Sequence, residues 1–237
     1  MKTHPLLYPG WAVLLGGLLW TGARAGDDTP PAPPPAPRPH RLQPHEEIPP
    51  LEGTGWHSLF DGRTLKGWKI TDYAGHGDVK VEDGNLVMEM GAMLTGVNGP
   101  TNLFRTNYEL VYDAKRVMGT DFFGTVTFPV GTNCCSLVLG GWGGGVVGIS
   151  SLDGMDASEN STSVFLDFKE NRWYRVRVRV TPKRLQCWVG KLEVVNELIA
   201  DHRITVRPGE IEMSQPFGFS TWVTTGALRH IKWRSLD

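Results

Sequence analysis

The chain has 237 residues, 40% of them hydrophobic, with 24 Lys and Arg against 25 Asp and Glu and a formal net charge of −1. That balance leaves no basic excess for a nucleic-acid backbone and no basic stripe for an anionic membrane surface. The length suffices for one domain with a sizeable core.

Lys2 and His4 precede an apolar run from Leu6 to Trp20, and Ala23-Arg24-Ala25 puts small residues at two cleavage-site positions. This charge, apolar core and A-x-A order is that of a secretory signal peptide over residues 1–25, which implies export to the periplasm or beyond the cell. The run is broken by Pro9 and Gly10 and falls short of the ~20 apolar residues that span a bilayer. An uncleaved N-terminal anchor is the alternative, and it would be the only membrane contact expected. Loss of Lys2 and Arg24 with the leader takes the net charge to −3.

Residues 26–53 contain the run "DDTPPAPPPAPRPHRLQPHEEIPP" (27–50). Such a composition buries no core and is expected to form an extended, polyproline-like spacer. The folded domain is expected over 54–237, and its pattern is β nearly throughout. "VKVEDGNLVMEM" (79–90) is two short runs around Asp83-Gly84-Asn85, a hairpin signal. "YELVYDAKRV" (108–117) puts Tyr108, Leu110 and Tyr112 on one face and Glu109, Val111 and Asp113 on the other. In "WYRVRVRV" (173–180) the valines face inward and the arginines outward. A turn at Thr181-Pro182-Lys183 follows. In "ALRHIKWRSL" strict alternation would group Leu228, His230, Lys232 and Arg234 against Arg229, Ile231, Trp233 and Ser235. "KLEVVNELIADH" has the nearest approach to a helical period and holds at most a turn or two. Many short strands with Gly, Pro and Asn turns predict an all-β, two-sheet antiparallel sandwich of the jelly-roll type.

Several local patterns carry chemistry on paper. "GGWGGGVVG" fits G-x-G-x-x-G at Gly143, Gly145 and Gly148, with Asp167 downstream. The glycines run into β-branched residues instead of opening a helix, so a dinucleotide site is not expected; tight turns or close backbone approach account for them. "SLDGMDASEN" gathers Asp153, Asp156, Glu159 and Asn160 in one loop, where Asp153 and Asp156 are the candidate Ca²⁺ ligands, although the pattern is not an EF-hand. No other metal or cofactor is expected. Asn160-Ser161-Thr162 is a glycosylation sequon.

Cys134 and Cys135, as strand neighbours, point to opposite faces. Either one of them joins Cys187 or all three are buried thiols. Glycoside hydrolysis needs two carboxylates across a cleft, and the candidates are Glu109, Asp121, Asp153 and Asp156. His76 and His202 lie in apparent loops. Of nine tryptophans, Trp142 and Trp222 are best placed for stacking on a sugar ring, with Arg105 and His76 as further ligand contacts.

One resemblance organises these pieces. "W-x-x-LFDGRTLKGW" from Trp56, "VEDGNLVMEM", "TNYELVYDAK", "NRWYRVRVRVTPKRLQCWVGKLEV" and "LRHIKWRSL" occur in the order seen in the 3-keto-disaccharide hydrolase domain family. The resemblance implies a concanavalin A-like jelly roll with its first and last strands adjacent, and a bacterial exported domain. The opening stretch is then architectural: Phe60 and Trp68 pack, and Asp61-Gly62 turns the chain. The resemblance also implies a hydrolase acting on glycosidic bonds of 3-keto-disaccharides or related glycosides, with a carbohydrate ligand and Glu109 as acid/base candidate. Residues 122–156 depart from the family's G-N-S-G and E-x-Q-I-x-D segments. A non-catalytic carbohydrate-binding module and a laminin-G-like interaction domain are the alternatives on the same fold.

Overall fold

The computed structural model describes residues 48–102 and 104–237; the expected leader (1–25) and residues 26–47 of the expected spacer lie outside them. The strands among these residues are β1 (His57–Ser58), β2 (Lys69–Ile70), β3 (Val79–Glu82), β4 (Asn85–Met88), β5 (Leu94–Asn98), β6 (Tyr108–Gly119), β7 (Thr125–Val130), β8 (Asn133–Gly140), β9 (Val146–Ser150), β10 (Val164–Phe165), β11 (Trp173–Val180), β12 (Arg184–Val189), β13 (Leu192–Leu198), β14 (Gly218–Trp222) and β15 (Thr224–Ser235). An eight-stranded sheet runs β13-β12-β11-β6-β15-β4-β3, with β1 also on β15. A seven-stranded sheet runs β10-β9-β8-β7-β14-β5-β2. Pairing is antiparallel, and the two sheets bury one core between them, to which β6 and β11 contribute from one side and β7, β8 and β14 from the other. This is the predicted sandwich.

The opening stretch is architectural, as expected. Phe60 and Trp68 are buried, and the Trp68 ring lies 5.7 Å from both Phe217 and Phe219. Its Nε1–H donates to the Leu59 carbonyl at 2.8 Å. The Asp61 carboxylate accepts the N–H groups of Arg63 at 2.7 Å and Thr64 at 2.8 Å, closing the turn in which Gly62 has φ 72. Those hydrogen bonds, Thr64 first, hold the Asp61 carboxyl below its ordinary range. β1 pairs with β15 through His57↔Trp233 and Ser58↔Lys232, so first and last strands are neighbours.

The Asp83-Gly84 hairpin forms with Glu82 paired to Asn85; both turn residues have positive φ, as a type I′ turn requires. The alternation on β6 and β11 holds. Tyr108, Leu110, Tyr112, Val176, Val178 and Val180 fill the core.

Two expectations change. The register of β15 shifts between Arg229 and Lys232, where His230 has φ 53. The bulge resets the alternation, so Leu228 and Ile231 both enter the core. The start of the domain also moves upstream of residue 54. Arg175 donates to the Pro49 carbonyl at 2.6 Å, and Arg234 to that of Thr54 at 3.4 Å. Residues 49–54 therefore cross the outer face of the eight-stranded sheet.

Cys134, Cys135 and Cys187 are free and buried, and burial pushes all three thiols up. Among the described residues no helix is long and apolar enough to cross a membrane.

Candidate functional site

The seven-stranded sheet turns Val126, Phe128, Leu137, Leu139, Ile149 and Phe219 into the core. Their alternate neighbours face outward. Register places Thr127, Ser136 and Ser150 side by side on β7, β8 and β9, and Thr125 beside Ser220 of β14. The outer face of this sheet is thus paved with hydroxyls. At one end it is roofed: Ser214, in the 3-10 turn Glu210–Ser214, bonds Thr127 at 2.6 Å, and Tyr73 bonds Ser220 at 3.0 Å.

Where the roof stops, a cavity of about 280 Å³ opens. Thr125, Ser136 and Ser150 lie on its floor, Phe122, Trp142 and Trp222 on its walls, and Arg207 and Glu210 come from the loop before β14. An adjoining depression brings Asp121 beside Phe122, Trp142, Arg207 and Trp222.

Both tryptophans are held by unusual backbone. Trp142 sits in a tight turn after β8 with φ 48 and ψ 54, between Gly141 and Gly143. Val223, next to Trp222, has φ 42, an outlier for a β-branched residue. It is kept there by its N–H bond to the Met93 carbonyl at 2.9 Å, while Trp222 N–H donates to Phe122 at 3.1 Å. Strain of this kind concentrates where a site needs a side chain aimed against local preference.

The carboxylate candidates separate. Glu109 lies on β6 of the other sheet and faces away from the core, as its parity requires, but it is remote from this pocket and fully buried. Arg179 Nε donates to one of its oxygens at 2.7 Å and Arg234 Nε to the other at 2.7 Å, with Arg177 at 4.0 Å. The expected meeting of Glu109 with Asp121, Asp153 or Asp156 in a cleft does not occur, because parity fixes the side of a strand and not which sheet carries the cleft. Asp113, two residues along, is held by Arg175 and His230 in the same way.

Asp121 accepts the N–H of Phe122 at 2.8 Å and of Gly143 at 3.0 Å. Asp156 accepts the Ser150 hydroxyl at 3.2 Å and lies 3.4 Å from Arg207 Nε. Asp153 instead binds His202 at 2.8 Å and the Arg203 N–H at 2.7 Å. Asp153 and Asp156 therefore turn to different cationic partners. Among the described residues no group of three or more His, Cys, Asp or Glu converges as a metal site. Arg105 is exposed, and its carbonyl accepts the Gly131 N–H at the β7–β8 turn. His76 bonds the Gly77 carbonyl at 2.8 Å. Neither lines the pocket.

The glycine run has a packing explanation. Gly143, Gly144 and Gly145 border a second cavity of about 380 Å³ with Arg116 and Asp167. A Cβ on Gly144 would lie 2.7 Å from the Arg116 guanidinium, which is buried and donates to the Phe168 carbonyl at 2.8 Å. The Asn160 sequon is closed in the fold: its Nδ2 donates to the carbonyls of Ile149, Met155 and Asp156.

Arg207, Glu210, Phe122 and the hydroxyl floor were not singled out from the sequence. The floor had a readable signal, since in "TVTFPV" the hydroxyls of Thr125 and Thr127 alternate with Val126 and Phe128. Arg207 and Glu210 lie in irregular chain with no period to read.

No curated protein matches the sequence. Solved structures of similar outline include a candidate glycosyl hydrolase from Parabacteroides distasonis (13% identity, 77% of this chain and 94% of that one, TM-score 0.49). The carbohydrate binding module CBM66 from Bacillus subtilis follows at 12% identity, 71% and 96% coverage and TM-score 0.46. Domain 4 of the Geobacillus stearothermophilus arabinanase AbnA, in complex with arabinotriose, has 15% identity, 77% and 91% coverage and TM-score 0.49. Likenesses at this level add nothing to what the strands show. The sequence itself is more specific: residues 55–234 match the model of the 3-keto-alpha-glucoside-1,2-lyase-like domain, and the chain belongs to that family.

Proposed function

We propose that this domain recognises a sugar of the glucoside class in the cavity over β7, β8 and β9, and that recognition is its principal task. One observation carries the reading. A single cavity combines the rings of Trp142 and Trp222 with the hydroxyls of Thr125, Ser136 and Ser150. Rings take the apolar face of a sugar, and a few convergent polar groups fix its orientation. The family supports the choice of sugar. Hydrolysis has less support: it needs two carboxylates about 5–10 Å apart across the bond. Among the described residues Glu210 is the acidic residue that lines this cavity, while Asp121 lies in the adjoining depression with its carboxylate taken up by backbone N–H groups.

Glu210 favours a second reading, cleavage by 1,2-elimination. A ketone at C3 acidifies the C2–H; a base takes that proton, a C1=C2 bond forms, and the C1–O bond breaks, its oxygen leaving with the electron pair and taking a proton from solvent. One base suffices, so no carboxylate pair is needed. Glu210 is the base in this reading, and Arg207 the cation beside the developing negative charge. Export belongs to the same proposal and rests on the leader-like residues 1–25.

Calorimetric titration of 3-keto and unoxidised glucosides, with product release followed in the same mixtures, tests both readings. Trp142→Ala and Trp222→Ala should each weaken binding by roughly 2–10-fold, the worth of one lost ring contact. Unchanged affinity in both variants would remove the pocket as the sugar site. Product release that Glu210→Gln abolishes would establish elimination over recognition alone. A first residue of Gly26 in protein recovered from the host supports export, and an intact residue 1 opposes it.

A further inference from the structure

The cavity is two-sided in its chemistry. Its hydroxyls, Thr125, Ser136 and Ser150, come from three neighbouring strands and are confined to the floor. Each is already engaged: Thr125 with the Leu139 N–H, Ser136 with Thr127, Ser150 with Asp156. What they can still offer a ligand suits one ring, not two. Above the floor the lining is mostly apolar, from Met93, Phe122, Ile211 and the two tryptophans, with Arg207 and Glu210 as its charged residues.

The apolar character continues outward. Of the lining residues, Met93 is 46% exposed and Trp142 44%. Exposed apolar side chains gathered at a cavity mouth mark the surface a ligand covers. On the side of Met93, Phe122, Ile211 and Trp222, the second ring of a disaccharide would set most of its hydroxyls against apolar side chains, and unpaired polar groups are costly to desolvate.

We infer that the ligand of this pocket is an amphipathic glycoside, with one sugar ring on the hydroxyl floor and an apolar aglycone, aryl or alkyl, against Met93, Phe122, Ile211 and Trp222. The inference rests on the proposed sugar site and narrows its ligand. Met93 and Ile211 are the residues that set the preference, since they belong to the walls and not to the hydroxyl floor.

The test compares methyl, phenyl and octyl glucosides, maltose, and free phenol by calorimetry, each glucoside also in its 3-keto form. Phenyl and octyl glucosides should bind roughly tenfold or more tightly than methyl glucoside and maltose, as burial of a ring or chain predicts. The double variant Met93→Ser/Ile211→Ser, checked for an unchanged melting profile, should lose that preference while keeping its affinity for methyl glucoside. Single variants Met93→Ser and Ile211→Ser carry the same comparison if the double variant does not fold. Maltose binding as tightly as phenyl glucoside would overturn the inference and leave the sugar site standing. Phenol binding as tightly as phenyl glucoside, or no glucoside binding at all, would remove the sugar site and the inference together.

Discussion

The Gly143 N–H donates to the Asp121 carboxylate at 3.0 Å, and this bond fastens the turn that presents Trp142. Asp121 also accepts the N–H of Phe122, so one carboxylate ties two walls of the pocket together. Its work is positional. Asp121→Ala should weaken sugar binding by roughly tenfold or more, about the worth of one hydrogen bond to a charged acceptor, whereas Asp121→Asn, which keeps a carbonyl acceptor, should lose less. Equal loss in both, measured by titration, would point to direct contact between the carboxylate and the ligand.

Glu109→Gln should act on stability and not on the ligand. Glu109 is fully buried between Arg179 and Arg234, and removing one member of a buried ion pair costs about 3–5 kcal/mol. Denaturant unfolding should show that loss, with glucoside affinity unchanged. Lost affinity in a variant of normal stability would give Glu109 a role at the ligand after all.

The crossing segment makes a prediction about truncation. A chain beginning at Ile48 should melt like the full chain. One beginning at Trp56 forfeits the Arg175–Pro49 and Arg234–Thr54 bonds and should lose about 1–3 kcal/mol, since bonds to charged donors are worth more than neutral ones. Identical melting of the two chains would show that the crossing contributes nothing.

His202 gives the fold a pH dependence with a definite sign. Its Nδ1 lies 2.8 Å from Asp153 and its Nε2 3.2 Å from Glu197, and the bond to Asp153, then that to Glu197, raises its pKa above the ordinary 6.5. A raised histidine stabilises fully below 6.5, and that contribution fades as pH rises through the folded value. Stability should therefore fall on the alkaline side of 6.5. His202→Gln should flatten that slope. Asp153, lowered by the same bond, adds a separate loss on the acid side, as pH drops below its ordinary 3.8. A melting series across this range in both proteins checks the assignment.

Much of the fold was legible because it depends on local chemistry. Asp83-Gly84 can adopt two positive φ values in succession, and the valines of β11 alternate strictly. Trp142 and Trp222 were legible as candidate ring contacts from their places beside glycine and at a strand end, and both line the cavity. Glu109 was legible in direction only: its outward orientation is a property of β6, while the position of the pocket belongs to the opposite sheet. The bulge at His230 depends on the partner strand, and Arg207 and Glu210 reach the pocket by a path that only the completed sandwich defines.

The pairing of β1 with β15 fixes how the domain is mounted. Both ends of the folded body leave from the eight-stranded sheet, and the segment leading into β1 lies across that sheet's outer face. The pocket opens on the outer face of the other sheet. The chain therefore enters and leaves the folded body through one sheet, and the face that carries the cavity belongs to the other, so that neither route of the backbone crosses its mouth.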